Sequence, residues 1–162
     1  MIFRTIQENE WEQAARIEEI CFPQNEACSR ENMKARVQAA PELFLVAVDE
    51  ERGRIAGFLN GISTNECAFR DDFFTNALLK DPEGENVFLL GLDVLPEYRG
   101  RGLASELVRR YAEREGENGR KLLLLTCLED KIPMYRKMGF YDRGIANSVW
   151  GGEEWHEMAM KL

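Results

Sequence analysis

The stretch covering residues 87–104 limits the folds open to this chain more than any other part of the sequence. Residues 87–94 form a near-continuous apolar run, which is typical of a central strand buried on both faces. Pro96 ends that strand because it lacks a backbone donor, and a glycine-rich turn then opens an amphipathic helix. A buried strand that leads into a helix predicts a mixed α/β domain.

The glycine-rich turn has the composition of an anion site. Gly100 and Gly102 lack Cβ atoms, so main-chain N–H groups there can approach a ligand closely. The helix N-terminus adds unpaired donors and a partial positive charge, and Arg99 and Arg101 add full charges. These features predict a pyrophosphate site, although a turn that only joins strand to helix is the alternative. The dinucleotide fingerprint is only approximate, since Ser105 occupies its third small position, and the Walker pattern is absent.

The remaining elements complete a single domain over residues 1–162. Apolar alternation and apolar runs predict strands at 2–6, 43–48, 54–62, 87–94, 121–127, 140–145 and 155–160. Helical spacing predicts helices at 9–20, 30–39, 102–115 and 132–138, with Ser29 as the cap of the second and a short helix among the phenylalanines of 69–74.

Charge and cysteine content exclude several classes of partner. Asp and Glu total 29 against 21 Lys and Arg, which gives a net charge of −8 and disfavours a nucleic-acid partner. No apolar stretch is long enough to cross a membrane, and the first residues lack the pattern of a signal peptide. The four cysteines show no metal-ligand spacing and the chain has one histidine, so we expect no metal and reduced thiols in the cytoplasm.

Two motifs resemble those of a known family. Residues 99–104, Arg-Gly-Arg-Gly-Leu-Ala, resemble the acetyl-CoA signature Gln/Arg-x-x-Gly-x-Gly/Ala of the GNAT N-acetyltransferases. Residues 132–140 resemble the family element Ala-x-x-x-Tyr-x-x-x-Gly-Phe, with Ile132 in place of the alanine. The order of elements matches over nearly the whole chain. The resemblance implies a mixed, mostly antiparallel central sheet with a splayed parallel strand pair, flanked by helices.

Within that superfamily, the chain most resembles the arylalkylamine N-acetyltransferases, the serotonin type. The resemblance rests on Phe22–Pro23, Glu26–Ala27–Cys28, residues 41–44 and residues 126–130. Vertebrate members of that branch carry histidines at the positions of Phe88 and Leu90. A proton route through such histidines cannot operate in this chain.

The resemblance also implies where acetyl-CoA, the co-substrate, would bind. Its pantetheine arm would lie in the opening between the splayed strands, and the N–H of Val94 would polarise the thioester. Its pyrophosphate would contact the amides of the glycine-rich turn. The implied binding residues are Leu92, Asp93, Val94, Arg99, Gly100, Arg101, Gly102, Leu103, Ala104 and Ser105.

Three side chains are candidates for proton transfer or charge recognition. Tyr135 is the candidate general acid for the departing sulfur, or else a ring that packs beside the cofactor. Glu26 is the candidate general base, with an ordinary surface glutamate as the alternative. Asp93 either binds the substrate ammonium or is a strand-end carboxylate held by backbone N–H groups.

These expectations leave three functions open. The first is transfer of an acetyl group from acetyl-CoA to a small arylalkyl primary amine by direct attack. A polyamine or a protein N-terminus is the alternative acceptor, and a non-catalytic acyl-CoA-binding module is the alternative class; a homodimer is compatible with each. The aromatic residues that either line an amine pocket or form core are Phe69, Phe73, Phe74, Trp150 and Trp155.

Overall fold

A seven-stranded sheet forms the centre of the computed structural model, which describes all residues from Met1 to Leu162. The strand order is β1-β2-β3-β4-β5-β7-β6, and every neighbouring pair is antiparallel except β4 and β5. The predicted mixed and mostly antiparallel sheet with one parallel pair is therefore confirmed. The strands are Ile2–Thr5 (β1), Phe44–Asp49 (β2), Arg54–Thr64 (β3), Asn86–Val94 (β4), Leu122–Cys127 (β5), Tyr141–Ile145 (β6) and His156–Lys161 (β7).

Five helices flank the sheet, close to the predicted positions. The Ser29 hydroxyl accepts a hydrogen bond from the amide of Asn32 at 3.1 Å and caps the second helix as predicted. The first helix begins at Trp11 because residues 8–10 form a 3-10 turn instead. The helices are Trp11–Cys21 (α1), Arg30–Ala39 (α2), Asp72–Thr75 (α3), Leu103–Glu117 (α4) and Ile132–Lys137 (α5). None of them is both long enough and apolar enough to span a membrane.

The parallel pair separates after a short common stretch. β4 and β5 pair only from Asn86 opposite Leu122 to Phe88 opposite Leu124. On its other side, β4 shifts register against β3, so that Leu90 is an extra residue between the paired positions Leu89 and Gly91. Such a bulge bends its strand, and beyond it β4 and β5 no longer bond to each other. An opening between the two strands results.

Two clusters of buried side chains stabilise the sheet. Successive β4 residues point to opposite faces, so Val87 and Leu89 join the larger cluster, whereas Phe88 and Leu90 join the smaller one. The rings of Phe69 and Phe73 pack on Phe88 with centroid distances of 5.1 and 4.7 Å. Phe69 and Phe73 therefore belong to the hydrophobic core and do not line an amine pocket.

Helix α1 buries a carboxyl group and exposes one of the apolar residues that the sequence placed on its packed face. Ile20 continues the apolar spacing of this helix in the sequence, yet its side chain is 51% exposed. Glu18 is instead only 4% exposed, on the face that packs against β3 and β4. The buried face of α1 thus brings a carboxyl group to the middle of the sheet.

Candidate active site

The opening between β4 and β5 is part of a cleft of about 660 Å³. We call this volume the cleft; its walls come from the end of α1, the loop after it, β4, β5, the start of α4, α5 and the segment 150–155. The cleft therefore lies where the sheet is unpaired and where two helices, α4 and α5, begin.

The main chain of β4 presents donors to the cleft. The amide of Leu95 donates to the Ala56 carbonyl on β3 at 2.9 Å. Because main-chain groups alternate sides along a strand, those of Asp93 also face β3, and those of Leu92 and Val94 face the opening. The Val94 carbonyl accepts from Arg99 Nε at 2.9 Å and from Cys21 Sγ at 3.4 Å. The N–H of Val94 is left directed toward the cleft.

The start of α4 presents a second set of donors, in the segment from Gly100 to Ser105 that we call the amide turn. Gly102 caps α4 with a φ of +77°, a conformation that a side chain disfavours. No main-chain amide from Gly100 to Ser105 donates to another protein group. A Cβ atom built on Gly100 or on Gly102 would meet nothing within 4 Å. The turn is open, and its unpaired donors at a helix N-terminus suit a phosphate group.

Tyr135 reaches the cleft from α5. Its ring packs edge-on against Phe140 with the centroids 5.7 Å apart. Burial, together with the nearby Cys127 and Asp93 groups, raises the pKa of the Tyr135 phenol. The phenol therefore keeps its proton at neutral pH and is able to donate it.

Glu26 stands at the edge of the cleft in the loop between α1 and α2. Partial burial, and then the charges of Glu153 and Asp130, raise the pKa of its carboxyl group. The indole N–H of Trp150 donates to the Glu26 carbonyl at 2.8 Å, and Asn25 Nδ2 donates to the Gly151 carbonyl at 3.0 Å. Two bonds thus connect the loop that carries Glu26 to the segment around Trp150.

Aromatic side chains cover one wall of the cleft. Trp150 stacks on Phe74 with ring centroids 4.7 Å apart, and the indole N–H of Trp155 donates to the Trp150 carbonyl at 2.8 Å. Phe22 completes the wall from the end of α1. Of the aromatic residues singled out in the sequence, Phe74, Trp150 and Trp155 line the cleft.

Cys127 lines the cleft as a packed thiol. Its Sγ lies 3.5 Å from Met158 Sδ, and burial, followed by the charges of Asp142 and Asp130, raises its pKa to about 11. A thiol in that state is a poor nucleophile.

Most of the sequence-predicted residues meet in this one cleft, and two do not line it. Asp93 is fully buried behind β4, and Arg101 stacks over the ring of Tyr98 at 5.8 Å. Those that line the cleft are Glu26, Leu92, Val94, Arg99, Gly100, Gly102, Leu103, Ala104, Ser105 and Tyr135.

Sequence reasoning missed two buried polar residues: Glu18, which lines the cleft from α1, and Asn60 on β3. Glu18 and Asn60 are both buried, and each carries a side-chain polar atom without a hydrogen-bond partner. A signal for Glu18 exists in the sequence, because it follows Ala14 and Ala15 at helical spacing on the apolar face. For Asn60 we find none. No group of three or more His, Cys, Asp or Glu side chains is arranged to hold a metal ion.

The chain is similar in sequence to known acetyltransferases. The model of the acetyltransferase (GNAT) family matches residues 9–140. A mycothiol acetyltransferase of Thermobifida fusca is 35% identical over 126 residues, which cover 73% of this chain and 35% of that protein. A bovine thialysine N-epsilon-acetyltransferase is 32% identical over 77 residues, covering 46% of this chain and 42% of that protein. The segments matched by this chain thus span less than half the length of either curated relative.

Solved structures share the fold. The GphF GNAT-like decarboxylase, solved in complex with isobutyryl-CoA, superposes with a TM-score of 0.82 at 18% identity, covering 99% of each chain. At that identity the likeness concerns the fold alone. The family match covers most of the chain, and the cleft has the open strand pair and glycine turn that the motif implied. The chain belongs to the GNAT acetyltransferase family.

Proposed function

We propose that this chain is a single acetyltransferase domain over residues 1–162 that transfers the acetyl group of acetyl-CoA to a small arylalkyl primary amine. One observation carries the proposal: the free Val94 N–H and the unpaired donors of the amide turn border the same cleft. The first set suits a thioester carbonyl and the second a diphosphate. The acetyltransferase names of the two sequence relatives support the same reaction class.

Binding of acetyl-CoA would use main-chain donors at both ends of the molecule. The diphosphate would accept from the amide turn, with Arg99 beside it. The pantetheine arm would follow the exposed edge of β4 along Leu92 and Val94. Because these donors are fixed by the strand and the helix, they need no reorganisation when charge develops on the thioester oxygen.

The reaction would proceed by direct attack. The neutral amine attacks the thioester carbon, a C–N bond forms, and the oxyanion accepts from the Val94 N–H. Collapse breaks the C–S bond, and the thiolate takes the Tyr135 proton, which solvent then restores. Glu26 accepts the surplus amine proton through water; its raised pKa favours that acceptance near neutral pH.

The aromatic wall favours an arylalkyl acceptor. Phe22, Phe74, Trp150 and Trp155 offer ring faces and edges to an aromatic group. At the edge of the cleft, Glu153 and Asp130 both lie close enough to Glu26 to raise its pKa, and this group of acidic side chains would attract an ammonium group. The relatives named for mycothiol and for thialysine act on other acceptors, so the choice of amine needs a direct test.

The test measures thiol release from acetyl-CoA with a panel of amines: phenethylamine, tryptamine, spermidine, thialysine and a peptide with a free N-terminus. We expect the highest kcat/KM with the two arylalkylamines. Thiol release with only spermidine, thialysine or the peptide would show that the acceptor is not an arylalkylamine, while the reaction would still be acetyl transfer. Acetyl-CoA binding without release for any amine would contradict turnover and support an acyl-CoA-binding module.

A further inference from the structure

Two buried carboxyl groups meet beside the cleft, one from α1 and one from β4. Glu18 is 4% and Asp93 0% exposed. Both lie against Gly91, because a Cβ atom built there would be 3.5 Å from Glu18 Oε1 and 3.1 Å from Asp93 Oδ1. Neither Asp93 oxygen accepts a hydrogen bond from a backbone N–H or from any other protein donor, and Glu18 Oε1 accepts none either. We call Glu18 and Asp93 the carboxyl pair.

The carboxyl pair forms a hydrogen bond only if it shares a proton. Two ionised carboxylates are acceptors alone and repel each other, whereas a protonated carboxyl has an O–H group to donate. Because an unpartnered buried polar group is costly, burial favours one proton between Asp93 and Glu18 Oε1. Burial, then the charge of Glu18 and a hydrogen bond with it, raise the pKa of Asp93 well above its ordinary range. Asp93 is therefore the donor.

The groups around the carboxyl pair favour the same protonation state. Cys21 from α1 and Cys28 from the loop before α2 also raise the pKa of Asp93. From β3 it is the uncharged Asn60 that faces the pair, with Nδ2 3.7 Å from the same Cβ position. Tyr135 on α5, whose pKa Asp93 raises, keeps its own proton and adds no charge. Two cations in the surroundings donate to main-chain carbonyls instead; they are Arg36, on that of Phe74, and Arg99, on that of Val94.

The carboxyl pair connects two parts of the cleft that the proposed reaction uses. The second oxygen of Glu18, Oε2, accepts from the Cys28 amide at 2.9 Å, at the end of the loop that carries Glu26. On the other side, Asp93 directly precedes Val94, whose N–H is directed toward the cleft. A bond from Asp93 to Glu18 therefore completes a path of contacts from the Glu26 loop through α1 to β4.

We propose that Glu18 and Asp93 are positioning residues for acetyl transfer: the protonated Asp93 carboxyl donates to Glu18 Oε1 and so holds the Glu26 loop in place against the strand that carries the Val94 N–H. The proposal rests on the proposed function for the roles of Glu26 and Val94. The bond exists only below the folded pKa of Asp93, and above it two negative charges repel each other across the same contact. A base and an oxyanion donor that lose their alignment lose rate, because transfer depends on their geometry.

Infrared spectroscopy tests the shared proton without turnover. At pH 7 the wild-type protein should show the band of a protonated carboxyl group, and that band should disappear as the pH is raised. Asp93→Asn should lack the band at every pH above 7. Asp142→Asn is the matched control, since the pKa of Asp142 is lowered and this side chain is ionised at pH 7; the variant should keep the band. A wild-type protein without the band at pH 7, or a band that persists in Asp93→Asn, overturns the proposal.

Hydrogen exchange tests whether the pair holds the loop, again without turnover. Asp93→Asn keeps a donor for Glu18, whereas Asp93→Leu fills the position without one. The Cys28 amide, which donates to Glu18 Oε2, should exchange about tenfold faster in Asp93→Leu than in the wild-type protein, and Asp93→Asn should restore its protection. Equal exchange of this amide in all three proteins overturns the positioning role.

Steady-state kinetics measure the consequence for the reaction. At pH 7 we expect Asp93→Leu to lower kcat by about tenfold to a hundredfold, with the acetyl-CoA dissociation constant within about twofold, and Asp93→Asn to recover most of that kcat. In the wild-type protein kcat should fall as the infrared band disappears, and this fall should be absent from Asp93→Asn. A packing role would not produce that difference in pH dependence. An equal loss in both variants, or an alkaline fall that persists in Asp93→Asn, overturns the proposal.

The three readouts separate the carboxyl pair from the proposed function. Absence of thiol release with every amine, together with the expected infrared and exchange results, would contradict the proposed function and leave the shared proton and its hold on the loop standing. Thermal unfolding shows whether each variant folds. If Asp93→Leu does not fold, the infrared band and the pH dependence of Asp93→Asn decide, because that variant keeps the donor.

Discussion

Tyr135 combines partial exposure to the cleft with a raised phenol pKa. The two properties have one cause, since the wall of the cleft to which Tyr135 belongs also keeps most of its side chain from water. A phenolate would be destabilised there by the neighbouring Cys127 and Asp93 groups. The side chain is thus held in the form that a proton donor requires.

Removing the hydroxyl of Tyr135 tests its role in the chemistry. We expect Tyr135→Phe to lower kcat by about a hundredfold or more, because general acid catalysis typically contributes that much. The dissociation constant of acetyl-CoA should stay within about twofold, since the ring and its packing on Phe140 remain. Calorimetry gives the binding constant and thiol release gives kcat; equal kcat in the two proteins would leave the residue a packing role only.

Asp93 makes a separate prediction about stability. Its pKa is raised in the folded protein, so the folded state holds a proton that the unfolded chain releases above about pH 4. Stability linked to Asp93 is therefore complete below that pH and falls as pH rises toward the folded pKa, by at most about 1.4 kcal/mol per pH unit.

Asp93→Asn should remove the fall in folding stability that Asp93 causes as the pH rises. At pH 7 we expect the variant to be more stable than the wild-type protein by about 1–3 kcal/mol, and at pH 4 the difference should vanish. Denaturant unfolding of both proteins at the two pH values gives the comparison. A variant less stable than wild type at pH 7 would contradict the raised pKa of Asp93.

At the scale of elements, the loop between α1 and α2 depends on a segment more than a hundred residues away. Bonds from Trp150 to the Glu26 carbonyl and from Asn25 to the Gly151 carbonyl connect the two. A Cβ atom on Gly151 would lie 2.5 Å from the Asn25 carbonyl oxygen, so the approach requires a glycine. Glu26 thus owes its place at the cleft to a contact between two loops.

If Glu26 is the general base, its ionisation should determine the acidic limb of the plot of kcat/KM against pH. Because a base must be ionised and the Glu26 pKa is raised, we expect the acidic limb of kcat/KM above pH 4.5 in the wild-type protein. Glu26→Gln should lower kcat/KM and remove that limb. Glu153→Gln, which removes a neighbouring charge that acts on Glu26, should only move the limb to lower pH. An unaltered limb in Glu26→Gln would assign the base elsewhere.

The amide turn makes a prediction about acetyl-CoA. Gly102→Trp places a large side chain where the turn is now open, so acetyl-CoA affinity should fall by at least about a hundredfold if the diphosphate binds there. Gly53→Trp is the matched control: Gly53 also has a positive φ and open surroundings, but lies in the β2–β3 turn. Both variants should lose about 1–2 kcal/mol of stability from the backbone, and only the first should lose the ligand. Equal acetyl-CoA affinity in both variants would show that the amide turn does not bind the diphosphate.

At the scale of the whole molecule, the cleft is a gap in the sheet itself. β4 and β5 share only their first paired positions, and the rest of their facing edges has no strand partner. A ligand that bonds to those edges completes a part of the sheet that the chain leaves open. Binding should therefore stabilise the folded state as a whole.

Thermal unfolding measures that coupling. At about a hundred times its dissociation constant, acetyl-CoA should add about 2.7 kcal/mol, which corresponds to a rise in Tm of roughly 5–10 °C for a chain of this size. The same concentration should shift Gly53→Trp equally and Gly102→Trp hardly at all. A wild-type Tm that does not respond would contradict acetyl-CoA binding in the cleft.

The sequence alone determined the elements whose cause is local. The apolar run before Pro96 predicted a buried strand, Ser29 predicted a helix cap, and the glycines at 100 and 102 predicted an open turn before α4. The family motif supplied the mixed sheet and its parallel pair. Each of these signals lies within a few residues of its effect, because strand burial, capping and turn conformation depend on neighbours in the chain.

The tertiary structure alone decided which side chains meet. Glu18 and Asp93 lie far apart in sequence, and only the packing of α1 across β3 and β4 brings their carboxyl groups to Gly91. Phe73 and Phe74 are adjacent, yet one packs in the core and the other lines the cleft. The physical reason is the same in both cases: burial and charge proximity follow from how distant elements fit together, which no local pattern records.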